Sequence, residues 1–209
     1  MNRNLSLASL AAACLLAASA PPTLAQPLAP PPATASPHAG CSVCDGQRLL
    51  NEGEYGRAMQ IFEHRAAEGD PGAMNDIGFM YEHGLGRPAD YAQARAWYRK
   101  AGELNEGSAL GNLGDMYERG IGTPVDYAEA MRLYRKGAHA GNARAAVWLA
   151  RMYEHGRGHA ADLQAAMCWY QVAQDGGDTE ARPQMEKIMA RGQPYPLPPV
   201  CHQITDPTG

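Results

Sequence analysis

The chain has 209 residues, 45% of them hydrophobic, and its 22 acidic and 18 basic side chains leave a net charge of −4. The lysines are only Lys100, Lys136 and Lys187, and no basic patch is available to neutralise phosphates, which argues against nucleic acid or an anionic membrane surface as partner. The length suits about one folded domain with terminal extensions.

Residues 1–25 read as a secretory signal peptide. Arg3 gives a basic start, Leu5 to Ala20 is uncharged and apolar, and Thr23-Leu-Ala25 places small residues at cleavage spacing. The run falls short of the ~20 apolar residues that span a bilayer, so no membrane insertion is expected after cleavage. A lipid anchor on Cys14 is the alternative, although Ala11-Ala-Ala-Cys14 lacks the leucine expected three residues before the cysteine. Residues 26–40 are rich in Pro and Ala and predict a linker that packs no core. The tail 193–209, with Pro194-Tyr-Pro-Leu-Pro-Pro199, has the same character. Folding is expected over 41–192, in a protein exported to the periplasm or beyond the cell.

Within that span one sentence of sequence recurs every 36 residues: Tyr81-Glu-His-Gly-Leu-Gly86, Tyr117-Glu-Arg-Gly-Ile-Gly122 and Tyr153-Glu-His-Gly-Arg-Gly158. Asp90, Asp126 and Asp162 follow in register, then Ala94, Ala130 and Ala166, then Tyr98, Tyr134 and Tyr170. A fixed period in this range marks stacked repeats. Ala73, Ile77 and Tyr81 lie at i, i+4 and i+8, as do Ala109, Leu113, Tyr117 and Ala145, Leu149, Tyr153, so the first segment of each copy is a helix with one apolar face. These faces predict buried rings, Tyr117 in the middle copy among them. Gly78, Gly114 and Ala150 predict a close approach by a neighbouring helix. Gly84, Gly120 and Gly156 suit the left-handed position just past a helix end.

The second helix of each copy is expected to start at the aspartate. Asp90 with Gln93 and Asp126 with Glu129 have capping-box spacing. Asp162 lacks that partner because Ala165 stands there, which predicts a weaker start in the third copy. Asn105, Gly141 and Gly177 mark the turns into the next unit. A partial copy precedes the three, with a helix around Val43 to Asn51 joined by Gly53-Glu54 to a second one. A last helix from Pro183 to Arg191, with Met185 and Ile188 facing inward, would seal the stack. The units are therefore 43–70, 71–106, 107–142, 143–178 and a cap at 179–192, an all-α, right-handed α-solenoid of helix-loop-helix repeats with a capping C-terminal helix.

The pattern Leu-Gly-x-x-Tyr-x-x-Gly-x-Gly, then Asp-Tyr-x-x-Ala-x-x-x-Tyr-x-Lys, resembles the Sel-one-like repeat, a relative of the tetratricopeptide repeat with a longer loop. The third copy departs from it at Ala150 and at Gln171-Val172. The resemblance implies adaptors that hold macromolecular complexes together, with envelope and host-contact roles in secreted bacterial members.

After signal cleavage four cysteines remain: Cys41, Cys44, Cys168 and Cys201. An even number in an exported chain reads as disulfides. Stacked helices lie about 10 Å apart and a bridge needs Cα atoms within about 7 Å, which favours Cys41–Cys44 and Cys168–Cys201. Cys41-Ser-Val-Cys44 could instead be a redox pair, with Ser42 and Asp45 capping a helix that lowers a thiol's pKa, although the strands of a thioredoxin-like context are missing. His38 with Cys41 and Cys44 has no evident fourth ligand, and Gly156 and Gly158 break the helix that His155 and His159 would need to share a metal. The Gly-x-Gly pairs lack the rest of a dinucleotide fingerprint. The absence of Ser-x-x-Lys and Gly-x-Ser-x-Gly leaves serine acyl chemistry without a motif. No cofactor and no metal are expected.

What remains is the face of the first helices, which lines the concave surface in tetratricopeptide-like stacks. Its off-core residues are Asn75, Phe79 and Glu82, then Asn112, Asp115 and Glu118, then Trp148, Arg151 and Glu154. The three glutamates form an acidic row, and Trp148 stands where the other copies carry Asp76 and Asn112. The sequence thus predicts a non-enzymatic protein- or peptide-binding adaptor using this face. The alternative is a weak envelope enzyme or thiol-disulfide redox protein using Cys41 and Cys44.

Overall fold

Residues 42–192 and Cys201 are described by the computed structural model. The expected signal peptide, linker and all of the tail but Cys201 lie outside them, as do Cys41 and the side chain of Cys44, and with them the Cys41–Cys44 bridge. The described residues form nine helices and no strand: α1 (Ser42–Asn51), α2 (Tyr55–Ala67), α3 (Pro71–His83), α4 (Tyr91–Glu103), α5 (Gly107–Arg119), α6 (Tyr127–His139), α7 (Ala143–His155), α8 (Leu163–Asp175) and α9 (Ala181–Ala190). Helices α3–α4, α5–α6 and α7–α8 are the three full copies, each pair packing closely and each pair then packing on the next. This is an all-helical repeat solenoid. No described helix is long and apolar enough to cross a membrane.

The helix ends follow from the repeated residues. Gly84, Gly120 and Gly156 close α3, α5 and α7 with φ of 66°, 70° and 66°, where a Cβ would be strained. Asp90, Asp126 and Asp162 cap α4, α6 and α8 through side-chain oxygens. The capping box, however, is only half formed. The backbone N–H groups of Asp90, Asp126 and Asp162 donate to the carbonyls of Tyr81, Tyr117 and Tyr153, each at 2.9 Å, so no side chain at the third helical position is needed to satisfy them. Glu129 pairs with Arg132 instead. For this reason the start of α8 is not weaker than the others: Asp162 accepts from Gln164 and Ala165 at 3.0 and 2.9 Å. The last helix begins at Ala181, two residues earlier than expected. Pro183 is accommodated in its first turn, where backbone N–H groups have no helical acceptor.

Packing places the tyrosines in two layers. Tyr98, Tyr134 and Tyr170 of the second helices are fully buried. Tyr117, expected as the buried ring of the middle copy, is half-buried, as is Tyr81, while Tyr153 is buried. The first-helix tyrosines sit near a helix end, and the hydroxyls of Tyr81 and Tyr153 accept from Arg87 and Arg135 at 2.8 and 3.0 Å. The mid-helix small residues serve the second-helix rings: a Cβ on Gly78 would come within 2.7 Å of the Tyr98 ring, and one on Gly114 within 2.6 Å of the Tyr134 ring. The close neighbour is therefore an aromatic ring of the same copy. Met185 and Ile188 of α9 are buried against the last repeat. Cys168 of α8 is bridged to Cys201 with Cα atoms 5.0 Å apart, as the spacing predicts.

Candidate functional site: the face of the first helices

The residues predicted to meet a partner divide into two groups. Asn75, Asn112 and Glu82 hold the stack together, whereas Phe79 does not. Asn112 of α5 donates to the Asn75 side chain of α3 at 3.0 Å, tying successive first helices. Glu82 accepts from the Tyr98 hydroxyl at 2.8 Å. Phe79 is exposed and stacks on His83, with ring centroids 4.1 Å apart.

The glutamate row is an internal feature rather than a solvated one. Glu118 accepts from Tyr134 at 2.8 Å and Glu154 from Tyr170 at 2.9 Å, and the Glu118 and Glu154 side chains are only 13% and 9% exposed. Burial, reinforced by the adjoining carboxylate, pushes the Tyr98, Tyr134 and Tyr170 phenols well above their ordinary range, so they stay protonated as donors. Each copy thereby locks its second helix to its first by one hydrogen bond to a charged group, of the stronger class.

Asp115, Glu118, Trp148 and Arg151 are brought together. They line a groove of about 300 Å3 between α5 and α7, with Arg119, His155 and Arg157 completing it. Trp148 is half-buried, its ring 5.4 Å from that of Tyr134. Gly111 makes this possible, because a Cβ there would lie 2.8 Å from the indole. The indole is thus seated against α5, with part of its surface left in the groove. Arg119 pairs with Asp115 at 3.0 Å, Arg151 with Glu180 at 3.0 Å, and Arg157 reaches back from the loop after α7 to Glu118 at 2.6 Å. His155 bonds the Arg151 carbonyl through Nδ1 at 2.8 Å. Three guanidinium groups and the indole thus line one groove, and each planar fork carries donors beyond the one its carboxylate takes.

Sequence reasoning missed Arg119, His155 and Arg157. Arg157 occupies the position of Leu85 and Ile121, and that break in the period was the available signal. Among the described residues no group of three or more His, Cys, Asp and Glu side chains could hold a metal ion.

The first-copy counterpart of position 148 is Asp76, which is half-buried. Burial pushes its carboxyl up to about 6 from 3.8, against the opposing effects of the Gln47 hydrogen bond and the Arg65 charge. A folded pKa above the unfolded one means that the charged form destabilises the fold, so this group's contribution worsens as pH rises from about 4 to 6. Asp76→Asn is expected to raise stability at pH 7.5 by about 1 kcal/mol, discounted for residual solvent access, and to match the wild type at pH 4. Thermal melts at the two pH values check this, and an equal gain at both would refute it.

These repeats define a protein of the α-solenoid class. The Sel1 repeat family model matches residues 71–106, 107–142 and 143–178, more than half of the chain, which therefore belongs to the Sel1 repeat family. The chain is similar to a Sel1 repeat protein from Oxalobacter formigenes, at 30% identity over 77% of this chain and 67% of that one, with a TM-score of 0.66. It is also similar to a protective antigen with an SLR fold from uropathogenic Escherichia coli, at 26% identity and a TM-score of 0.64, covering 72% of this chain but only 33% of that protein. No curated protein matches the sequence. Sel1 repeat proteins are generally protein-interaction scaffolds and typically not enzymes.

Proposed function

We propose that this chain is an exported, non-enzymatic adaptor that holds a protein or peptide partner in the α5–α7 groove. The observation that carries the reading is the convergence of Trp148, Arg151, Arg119 and Arg157 from two adjacent repeats on one groove. Aromatic and arginine side chains in a desolvated centre contribute most to protein interfaces. Export rests on the N-terminal sequence, with its short basic start and apolar run ahead of a cleavage-like site. The bridge between Cys168 and Cys201 accords with an oxidising compartment. Phe79, Asn75, Asn112 and Glu82 stay at the margin of the surface or within the stack.

The test is affinity capture from the envelope of the exporting cell, comparing wild type with Arg151→Glu/Arg157→Glu and with Phe79→Ser. The arginine variant is expected to lose the captured partner, by at least about tenfold, while Phe79→Ser retains it. Circular dichroism must show both variants folded. Retention by a folded arginine variant would remove the groove from the function.

A further inference from the structure

A second cavity, of about 250 Å3, lies between α4, α5 and α6. Its floor is apolar and buried: Leu110, Leu113 and Leu133 are 5%, 3% and 3% exposed. Arg99, Lys136 and the Tyr117 ring stand around it. The repeat supplies an internal control, because the same junction recurs 36 residues later between α6, α7 and α8. There Trp169 replaces Leu133, Ala138 replaces Gly102, Cys168 replaces Arg132 and Val172 replaces Lys136. Trp169 and Cys168 are fully buried, and Arg135 donates to the Tyr153 hydroxyl at 3.0 Å.

At the first junction the equivalent pair, Arg99 and Tyr117, is not joined. Neither Arg99 nor Lys136 has an ion pair or side-chain hydrogen bond among the described residues. Arg132 is already held by Glu129 at 2.7 Å. The cavity-lining charges are three cations against Glu103 and Glu129, in a chain whose net charge is −4. The volume lies just below the usual range for ligand pockets, about 300–1,000 Å3, and the lining joins three leucines and the Tyr117 ring to five charged side chains.

We propose that this cavity binds a small amphipathic carboxylate. The apolar body lies on the leucine floor, and the carboxylate takes N–H donors from Arg99 and Lys136 and the hydroxyl of Tyr117. This site is separate from the α5–α7 groove and does not depend on its role.

The test titrates the 15N-labelled protein with 4-phenylbutyrate, using 4-phenyl-1-butanol as the neutral control, and follows amide shifts. Saturable shifts centred on Gly102, Leu110 and Leu133 are expected with the acid. Lys136→Val, which copies the second junction, and Arg99→Gln should each weaken the acid about tenfold, the loss of one hydrogen bond to a charged group, and leave the alcohol's affinity unchanged. Leu133→Trp should abolish binding of both, since Trp169 fills the equivalent space. If Leu133→Trp does not fold, the two charge variants decide. Scattered, non-saturating shifts, or charge variants that bind the acid as the wild type does, would overturn the proposal.

Discussion

Replacing Tyr134 with alanine is expected to lower the unfolding free energy by about 3–5 kcal/mol, the range for deleting a fully buried aromatic ring. Tyr134 is fully buried and fills the space that Gly114 leaves open. It also supports the Trp148 ring and donates to Glu118. Its removal leaves a cavity in the middle copy and withdraws a donor from a carboxylate that is 13% exposed. Tyr134→Phe keeps the ring and loses only the hydrogen bond, so it should cost less, about 1–3 kcal/mol. Because each repeat is stabilised by its neighbours, the alanine variant should lose helical signal across the stack in urea unfolding. A midpoint shift smaller than that of Tyr134→Phe would mean that this layer is not the core.

Removing the Cys168–Cys201 bridge should have the second largest effect. Its sequence separation is 33 residues, and cross-linking a loop of that length restricts the unfolded chain by about 3–4 kcal/mol. The closed segment contains α9, which covers the last repeat with Ala181, Met185 and Ile188. Cys168→Ala/Cys201→Ala is therefore expected to lower the melting temperature and to release α9 first. Hydrogen exchange should show α9 amides losing protection while α3 and α4 keep theirs, as expected for stability that varies along a chain. An unchanged melt, or uniform loss of protection, would show that the bridge does not secure the end of the stack.

The architecture was legible because its signals repeat. The 36-residue period places both helices, the left-handed glycines and the capping aspartates of every copy. The relation between layers was harder to read. Glu82, Glu118 and Glu154 look like surface charges, yet each lies 16 residues before the tyrosine that donates to it, and that constant spacing was the signal of an internal bond. The capping box misled for a related reason. Its amide is satisfied by a carbonyl of the preceding helix, a partner that no side-chain pattern can reveal. The groove was legible in part. Asp115, Glu118, Trp148 and Arg151 follow from helical spacing, whereas Arg157 enters from a loop 39 residues beyond its partner Glu118. Contacts made by residues that break the period cannot be extrapolated from it.

The central claim is that the partner meets the α5–α7 face, and site-specific photo-cross-linking tests it most directly. A photoreactive residue would be placed at His155, exposed on the groove, or at Ala96, exposed on α4, in protein expressed in the exporting cell. The account predicts an adduct of defined mass from position 155 and none from position 96. An adduct from position 96 alone would contradict it.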